Sequence, residues 1–114
     1  MRRDEDRLRD ILENIDTVLA AIRGKSRSDF DGDLLLRSAV LHYVQIIGEA
    51  AQRVSEDVRA KYPSLPWRVI SDTRNFIVHA YFSVDLDIIW LTASRDLLPL
   101  RSQIESILHA EFPE

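Results

Sequence analysis

Apolar residues recur at steps of three and four along nearly the whole chain, and the residues that would interrupt a helix are scarce. Starting at Leu8, the series runs through Ile11, Leu12, Ile15, Val18, Leu19 and Ile22, which puts them on a single helical stripe. Only three glycines and four prolines punctuate the 114 residues, and no period-two alternation persists between them. A chain patterned in this way must bury its stripes by packing helix against helix.

The sparse punctuation places the helices. The first is predicted from about Asp4 to Arg23, with Gly24 in the position that favours a C-terminal cap. Lys25 to Gly32 reads as a mostly polar connection, after which Ser28 or Asp33 caps the next helix. That helix is predicted from Leu34 to about Val54. Its apolar residues wrap more than one face, as expected of the most buried helix or of one serving two interfaces, and Gly48, Ala50 and Ala51 form a patch suited to close approach. A short turn from Ser55 to Lys61 stops at Tyr62-Pro63, because the residue before a proline is pushed out of the helical region. Ser64-Leu65-Pro66-Trp67 opens another helix, expected to end around Val78 to Tyr81. Asp85 begins a last long helix, which Pro99 is expected to kink or split near Leu98. The predicted fold is all-α: an up-and-down bundle of four main helices plus a short helix, forming one domain over residues 1–114.

Composition narrows the function classes. Hydrophobic residues make up 46% and charged residues 30%, a soluble globular balance. The densely charged start, Met1-Arg2-Arg3-Asp4-Glu5-Asp6-Arg7, lacks the apolar centre of a signal peptide, and no apolar run is long enough for a membrane span. There is no cysteine, hence no disulfide framework and no zinc-finger spacing, and a cytoplasmic location is expected. The net charge of −4 means that a nucleic-acid partner must be met by a local basic patch, for which Arg37, Arg53 and Arg68 are candidates.

Chemistry is concentrated in Asp72-Thr73-Arg74-Asn75-Phe76-Ile77-Val78-His79-Ala80-Tyr81. Arginine offers a planar fork of donors to a phosphate, and histidine can move protons near neutral pH. On a regular helix Arg74 and His79 stand about 140° apart, whereas Asn75 and His79 share a face. Convergence of the first pair therefore requires the helix to unwind before His79, or the two residues to meet across a dimer axis. The β-branched Ile77 and Val78 are compatible with the first route. If the pair does converge, His79 can act as general acid or base and Arg74 can stabilise charge building on phosphorus, which is enough for phosphodiester cleavage without a metal. If it does not, the histidine caps a helix end and the arginine pairs with a carboxylate such as Asp72. Elsewhere His42 reads as a packing or hydrogen-bonded histidine of the buried second helix, and His109 as a cation at a helix C-terminus. Asp85 and Asp87 read as helix-start acids, and Trp67 and Trp90 as core or interface anchors.

The run from Arg74 to Tyr81 resembles the Arg-x4-His-x-Tyr signature of the HepT-like branch of the HEPN superfamily. Its flanks agree: Ile46-Ile47-Gly48-Glu49-Ala50-Ala51 and Pro63-Ser64-Leu65-Pro66-Trp67 before it, and Val84-Asp85-Leu86-Asp87-Ile88-Ile89-Trp90 after it. The resemblance implies a helical homodimer and a metal-independent ribonuclease, with no cofactor. It further implies a toxin paired with a nucleotidyltransferase antitoxin that transfers AMP to the motif tyrosine. Carried onto this sequence, Arg74 and His79 are the catalytic pair, Asn75 a supporting residue and Tyr81 the AMPylation site. RNA is the implied substrate, cut by attack of a 2′-hydroxyl to leave a cyclic phosphate. The alternative is a non-catalytic helical dimer that binds a nucleotidyltransferase or a nucleotide.

Overall fold

In a computed structural model of the chain, the structure describes residues 2–72 and 85–113. All regular structure among them is helical. Helix α1 spans Arg2–Ile22, α2 Arg27–Gly32, α3 Leu34–Arg53 and α4 Glu56–Lys61. Helical residues 67–72 form α5 up to the last described position before the gap. After it, α6 (Leu86–Leu91), a π-helical turn (Thr92–Asp96) and α7 (Leu97–Glu111) run on as one continuous helix. The all-α bundle is the architecture the patterning predicts.

The α1 stripe is the centre of the core. Leu8, Ile11, Ile15 and Val18 are fully enclosed, facing α3 on one side and α7 on the other. From α3 come Val40, Val44, Ile47, Ala50 and Ala51, and from the last helix Ile89, Leu97, Leu100, Ile104 and Ile107. The broad apolar surface of α3 is thus used mainly in its second half, since Leu34 and Leu35 at its start stand exposed. Gly24 ends α1 with φ +72, a left-handed conformation that glycine adopts without steric cost.

Several local readings need revision. The polar connection after α1 contains a helix of its own, α2, because Ser26 and Asp29 form a reciprocal capping box. The Ser26 hydroxyl accepts from the Asp29 N–H at 3.1 Å, and the Asp29 carboxylate accepts from the Ser26 N–H at 2.9 Å. Hydrogen bonds from the Ser26 N–H and then from its side chain hold the Asp29 carboxyl below its ordinary range. Asp33, not Ser28, caps α3, accepting from the Leu36 N–H at 3.1 Å. Pro99 neither splits the last helix nor breaks it at Leu98. The irregularity lies just upstream, where Leu97 donates to the Thr92 carbonyl five residues back. A wide turn at this point loosens the ladder around the carbonyl that the proline ring would otherwise crowd. His42 is exposed rather than buried, its ring edge-on to Tyr43 at 5.2 Å.

Two clusters tie the short helices down. Asp4, only 5% exposed, accepts from the Ser55 N–H at 2.8 Å and the Ser55 hydroxyl at 2.7 Å. Ser55 in turn caps α4 through the Val58 N–H, so one buried carboxylate joins the first turn of α1 to the first turn of α4. At the other end of α4, Glu111 accepts from the Tyr62 hydroxyl at 2.7 Å and pairs with Lys61 at 2.9 Å, fixing the end of α7. These donors pull the Glu111 carboxyl below its usual range, Lys61 acting most strongly.

Candidate functional site

The four residues singled out by sequence, Arg74, Asn75, His79 and Tyr81, lie outside the described residues. What the structure does define is the pair of elements that lead into and out of the motif.

The approach is α5. Tyr62 leaves α4 in a non-helical conformation before Pro63, and a tight turn follows in which Leu65 donates to the Tyr62 carbonyl at 3.2 Å. Trp67 then drops its ring into the core (7% exposed), and its indole N–H donates to the Tyr62 carbonyl at 3.0 Å. Trp67 is thus an anchor in the core, one of the two roles expected for it from sequence. One turn further, Ser71 is buried on the same side of the helix, while Arg68 and Val69 point outward.

The exit is α6. Asp85 caps it by accepting from the Asp87 N–H at 2.9 Å, which makes it the helix-start acid expected from sequence. Asp87 pairs with Arg27 of α2, and the Trp90 ring meets Phe30 at 5.2 Å, so α6 is docked on α2 by charge and by aromatic contact. Hydrogen bonds to Asp31 and then Asp87 raise the Arg27 pKa above its ordinary value.

Two grooves flank α5. One is apolar, with a cavity volume of about 300 Å³, and lies between Val44 and Ile47 of α3, Val69 and Ile70 of α5, and Leu97 and Leu100 of α7. Val69 at its edge is 66% exposed. The other is polar and runs between the end of α3 (Gln52), α4 (Glu56, Arg59) and α5 (Arg68, Ser71, Asp72). Of the three arginines proposed from sequence for a basic patch, only Arg68 lines a groove beside α5. Arg53 is exposed at the end of α3, and Arg37 is turned onto the last carbonyls of α2, Phe30 and Asp31, where a cation is favoured. Arg59, which sequence reasoning passed over, lines the polar groove with Arg68. Its signal was positional: it lies in the short helix immediately before the Pro63 turn that introduces α5.

The chain is thus an all-α bundle that carries an Arg-x4-His-x-Tyr sequence between a Trp-anchored helix and an Asp-capped one. The ribonuclease HepT-like family model matches residues 11–107, and the chain belongs to that family. Individual relatives agree along nearly their full length. A probable ribonuclease HepT of Thermococcus cleftensis is 33% identical over 93% of this chain and 96% of its own. Two relatives named provisionally as RNases are similarly close. That of Caldanaerobacter subterraneus subsp. tengcongensis is 33% identical over 91% of this chain and 93% of its own. That of Methanocaldococcus jannaschii is 30% identical over 88% and 92%. No match was found among solved structures.

Proposed function

We propose that this protein is a metal-independent endoribonuclease acting as the toxin of a toxin–antitoxin pair, with residues 1–114 forming one catalytic domain. The observation that carries this reading is the family match over residues 11–107, which encloses an intact Arg74-x4-His79-x-Tyr81. His79 serves as general acid or base toward the ribose 2′-hydroxyl and the 5′-oxygen leaving group. Arg74 stabilises the pentacoordinate phosphorus, and Asn75 supports the pair. The 2′-oxygen attacks the adjacent phosphorus, the bond to the 5′-oxygen breaks, and a 2′,3′-cyclic phosphate remains. A homodimer brings two copies of the motif together; the apolar groove beside α5, with Val69 exposed at its edge, offers such a dimer a seat. A nucleotidyltransferase antitoxin silences the site by placing AMP on Tyr81. The added anion competes for Arg74 and repels the RNA backbone. The setting is cytoplasmic, in keeping with the absence of any described helix long and apolar enough to cross a membrane.

The net charge of −4 favours a second reading, a helical dimer that holds a nucleotidyltransferase or a nucleotide without cleaving RNA. One experiment separates the two. Purified protein, shown by mass to lack AMP, is incubated with total cellular RNA in EDTA beside a His79→Ala variant of equal helicity. The expected result is cleavage to cyclic-phosphate ends, reduced by roughly 10²–10⁴-fold in the variant. Intact RNA with the unmodified protein would leave the binding reading in its place.

A further inference from the structure

The polar groove between α4 and α5 has the features of a second contact for the RNA strand, outside the cleavage motif itself. Two of its lining groups are in an unusual state. The Nε of Arg59 and the hydroxyl of Ser71 are buried, and neither has a hydrogen-bond partner among the described residues. Ser71 is only 8% exposed. Four other helical hydroxyls behave differently: Thr17, Thr92, Ser94 and Ser106 each donate to the carbonyl four residues back. The orphaned hydroxyl is the one that lines the groove. Buried polar groups are rarely left in this condition without a ligand or a partner to satisfy them.

The cations of the groove are equally under-used. Arg9, Arg27 and Arg101 each make a contact of 2.8 Å or shorter to a carboxylate. Arg59 makes no ion pair among the described residues. Arg68, its side chain 95% exposed, reaches only Asp72 among the described carboxylates, at 3.9 Å. A guanidinium has donors and no acceptor, so the ligand that completes this set must bring acceptor oxygens, and the arginine fork matches a phosphate. Glu56 and Asp72 also line the groove, so the local balance is even where the whole chain is at −4. Asp72 is itself exposed and, among the described residues, its carboxylate has just the long contact to Arg68. The groove also borders the motif through the chain: Arg74 is two residues beyond Asp72, at most about 7 Å of backbone.

Building on the ribonuclease reading, we propose that Arg59, Arg68 and Ser71 form a subsite for a backbone phosphate of single-stranded RNA, flanking the scissile bond. The strand runs from this groove to the motif. An acidic protein thus meets RNA through a local set of donors drawn from α4 and α5.

The test uses the full chain and a 2′-O-methyl oligonucleotide, which binds but cannot supply the attacking hydroxyl. Affinity is measured across a salt series for the unaltered protein, Arg68→Gln, Arg59→Gln and the control Arg23→Gln. Arg23 is exposed just past the end of α1 opposite Asp4, and so is remote from α4. Arg68→Gln is expected to weaken binding about three- to tenfold and to lower the salt slope by about 0.7, the share of one phosphate on a single strand. Arg59→Gln should do the same, while Arg23→Gln leaves affinity and slope unchanged. Because Arg59 is partly enclosed its variant can lose stability, so the exposed Arg68 decides the matter, with melting temperatures measured for each protein. An unchanged slope in Arg68→Gln, or an equal loss in Arg23→Gln, overturns the subsite. If the unaltered protein still cleaves RNA in that case, the ribonuclease reading stands without it. If the unaltered protein neither binds nor cleaves, both fall.

Discussion

Helix α4 has two polar neighbourhoods a few residues apart, and they are built on opposite principles. At its first turn the Asp4 carboxylate is buried with its donors in place: both the N–H and the hydroxyl of Ser55 point at it, within 2.8 Å. One turn on, Arg59 faces the groove with a buried Nε that nothing among the described residues accepts, opposite a buried Ser71 hydroxyl in the same state. Satisfied polar burial fixes a joint between helices, whereas unsatisfied polar burial stores a capacity to bind. The same short helix is therefore held rigid on one side and kept open on the other.

The largest effect on stability should come from removing the support beneath both neighbourhoods. Ile15 is fully enclosed on the α1 stripe, where it shares the core with α3 and α7. Ile15→Ala is expected to cost about 2–5 kcal/mol in urea denaturation, through lost transfer energy and the cavity left behind. Val69→Ala, at a position 66% exposed, should stay within about 0.5 kcal/mol of the unaltered protein. Similar losses for the two would mean that the apolar groove edge is part of the core and not a surface awaiting a second copy.

Breaking the satisfied joint comes next. Asp4→Ala removes a charged acceptor and strands two donors of Ser55, so a loss of about 2–3 kcal/mol is expected. The salt link between Arg101 of α7 and Asp16 of α1 is a useful contrast. It too joins distant helices, but at the surface, and Arg101→Ala should cost no more than about 1 kcal/mol. An Asp4→Ala loss as small as that would remove the distinction between joint and surface pair.

The cluster at the far end of α4 gives the comparison a pH dependence. Glu111 has a folded-state pKa below its ordinary value, because Lys61 and then Tyr62 donate to it. Its contribution is complete above the ordinary carboxylate pKa and is lost as pH falls through the lowered folded value. Lys61 and Tyr62 are both raised by Glu111, so their share is present at neutral pH and is lost as pH rises through their own raised values. Glu111→Gln should therefore flatten the acid limb of the stability profile and leave the groove's RNA affinity unchanged. A variant with the same acid limb as the unaltered protein would show that the joint at this end does not depend on charge.

How much of this the sequence could disclose follows from the kind of signal each feature leaves. The α1 stripe was legible because seven residues repeat one period. Gly24 and Asp85 were legible because caps have strong residue preferences. The family resemblance rested on a motif with ordered flanks, and the match over residues 11–107 agrees with it. Asp4 was passed over as one of a run of terminal charges, although it stands four residues before Leu8 and therefore in phase with the buried stripe. The α2 helix was missed because six residues carry no period, and only the Ser26–Asp29 spacing announced it. His42 was assigned to the interior because its helix is apolar overall, but exposure is decided by the position of each residue around the axis. Ser71 left no local mark, and Arg59 only its place in the short helix before Pro63. Their meaning depends on α4 and α5 being brought side by side, which is set by the Pro63 turn and by Trp67 reaching back to the Tyr62 carbonyl.

The smallest expected effect is the most discriminating. If the Ser71 hydroxyl is unsatisfied, removing it relieves the protein of a buried polar group that nothing compensates, and alanine is the better helix former at that position. Ser71→Ala should then be as stable as the unaltered chain, or more stable by up to about 1 kcal/mol, the opposite sign to Asp4→Ala. Each change deletes a buried polar side chain beside α4, one from α1 and the other from α5, so their difference isolates satisfaction from burial. Oligonucleotide affinity should respond in the reverse order, falling in Ser71→Ala and holding in Asp4→Ala once both are compared below their melting transitions. A Ser71→Ala loss beyond about 1 kcal/mol would mean that the hydroxyl already has a partner inside the fold, and the groove would then be one more joint of the kind Asp4 makes.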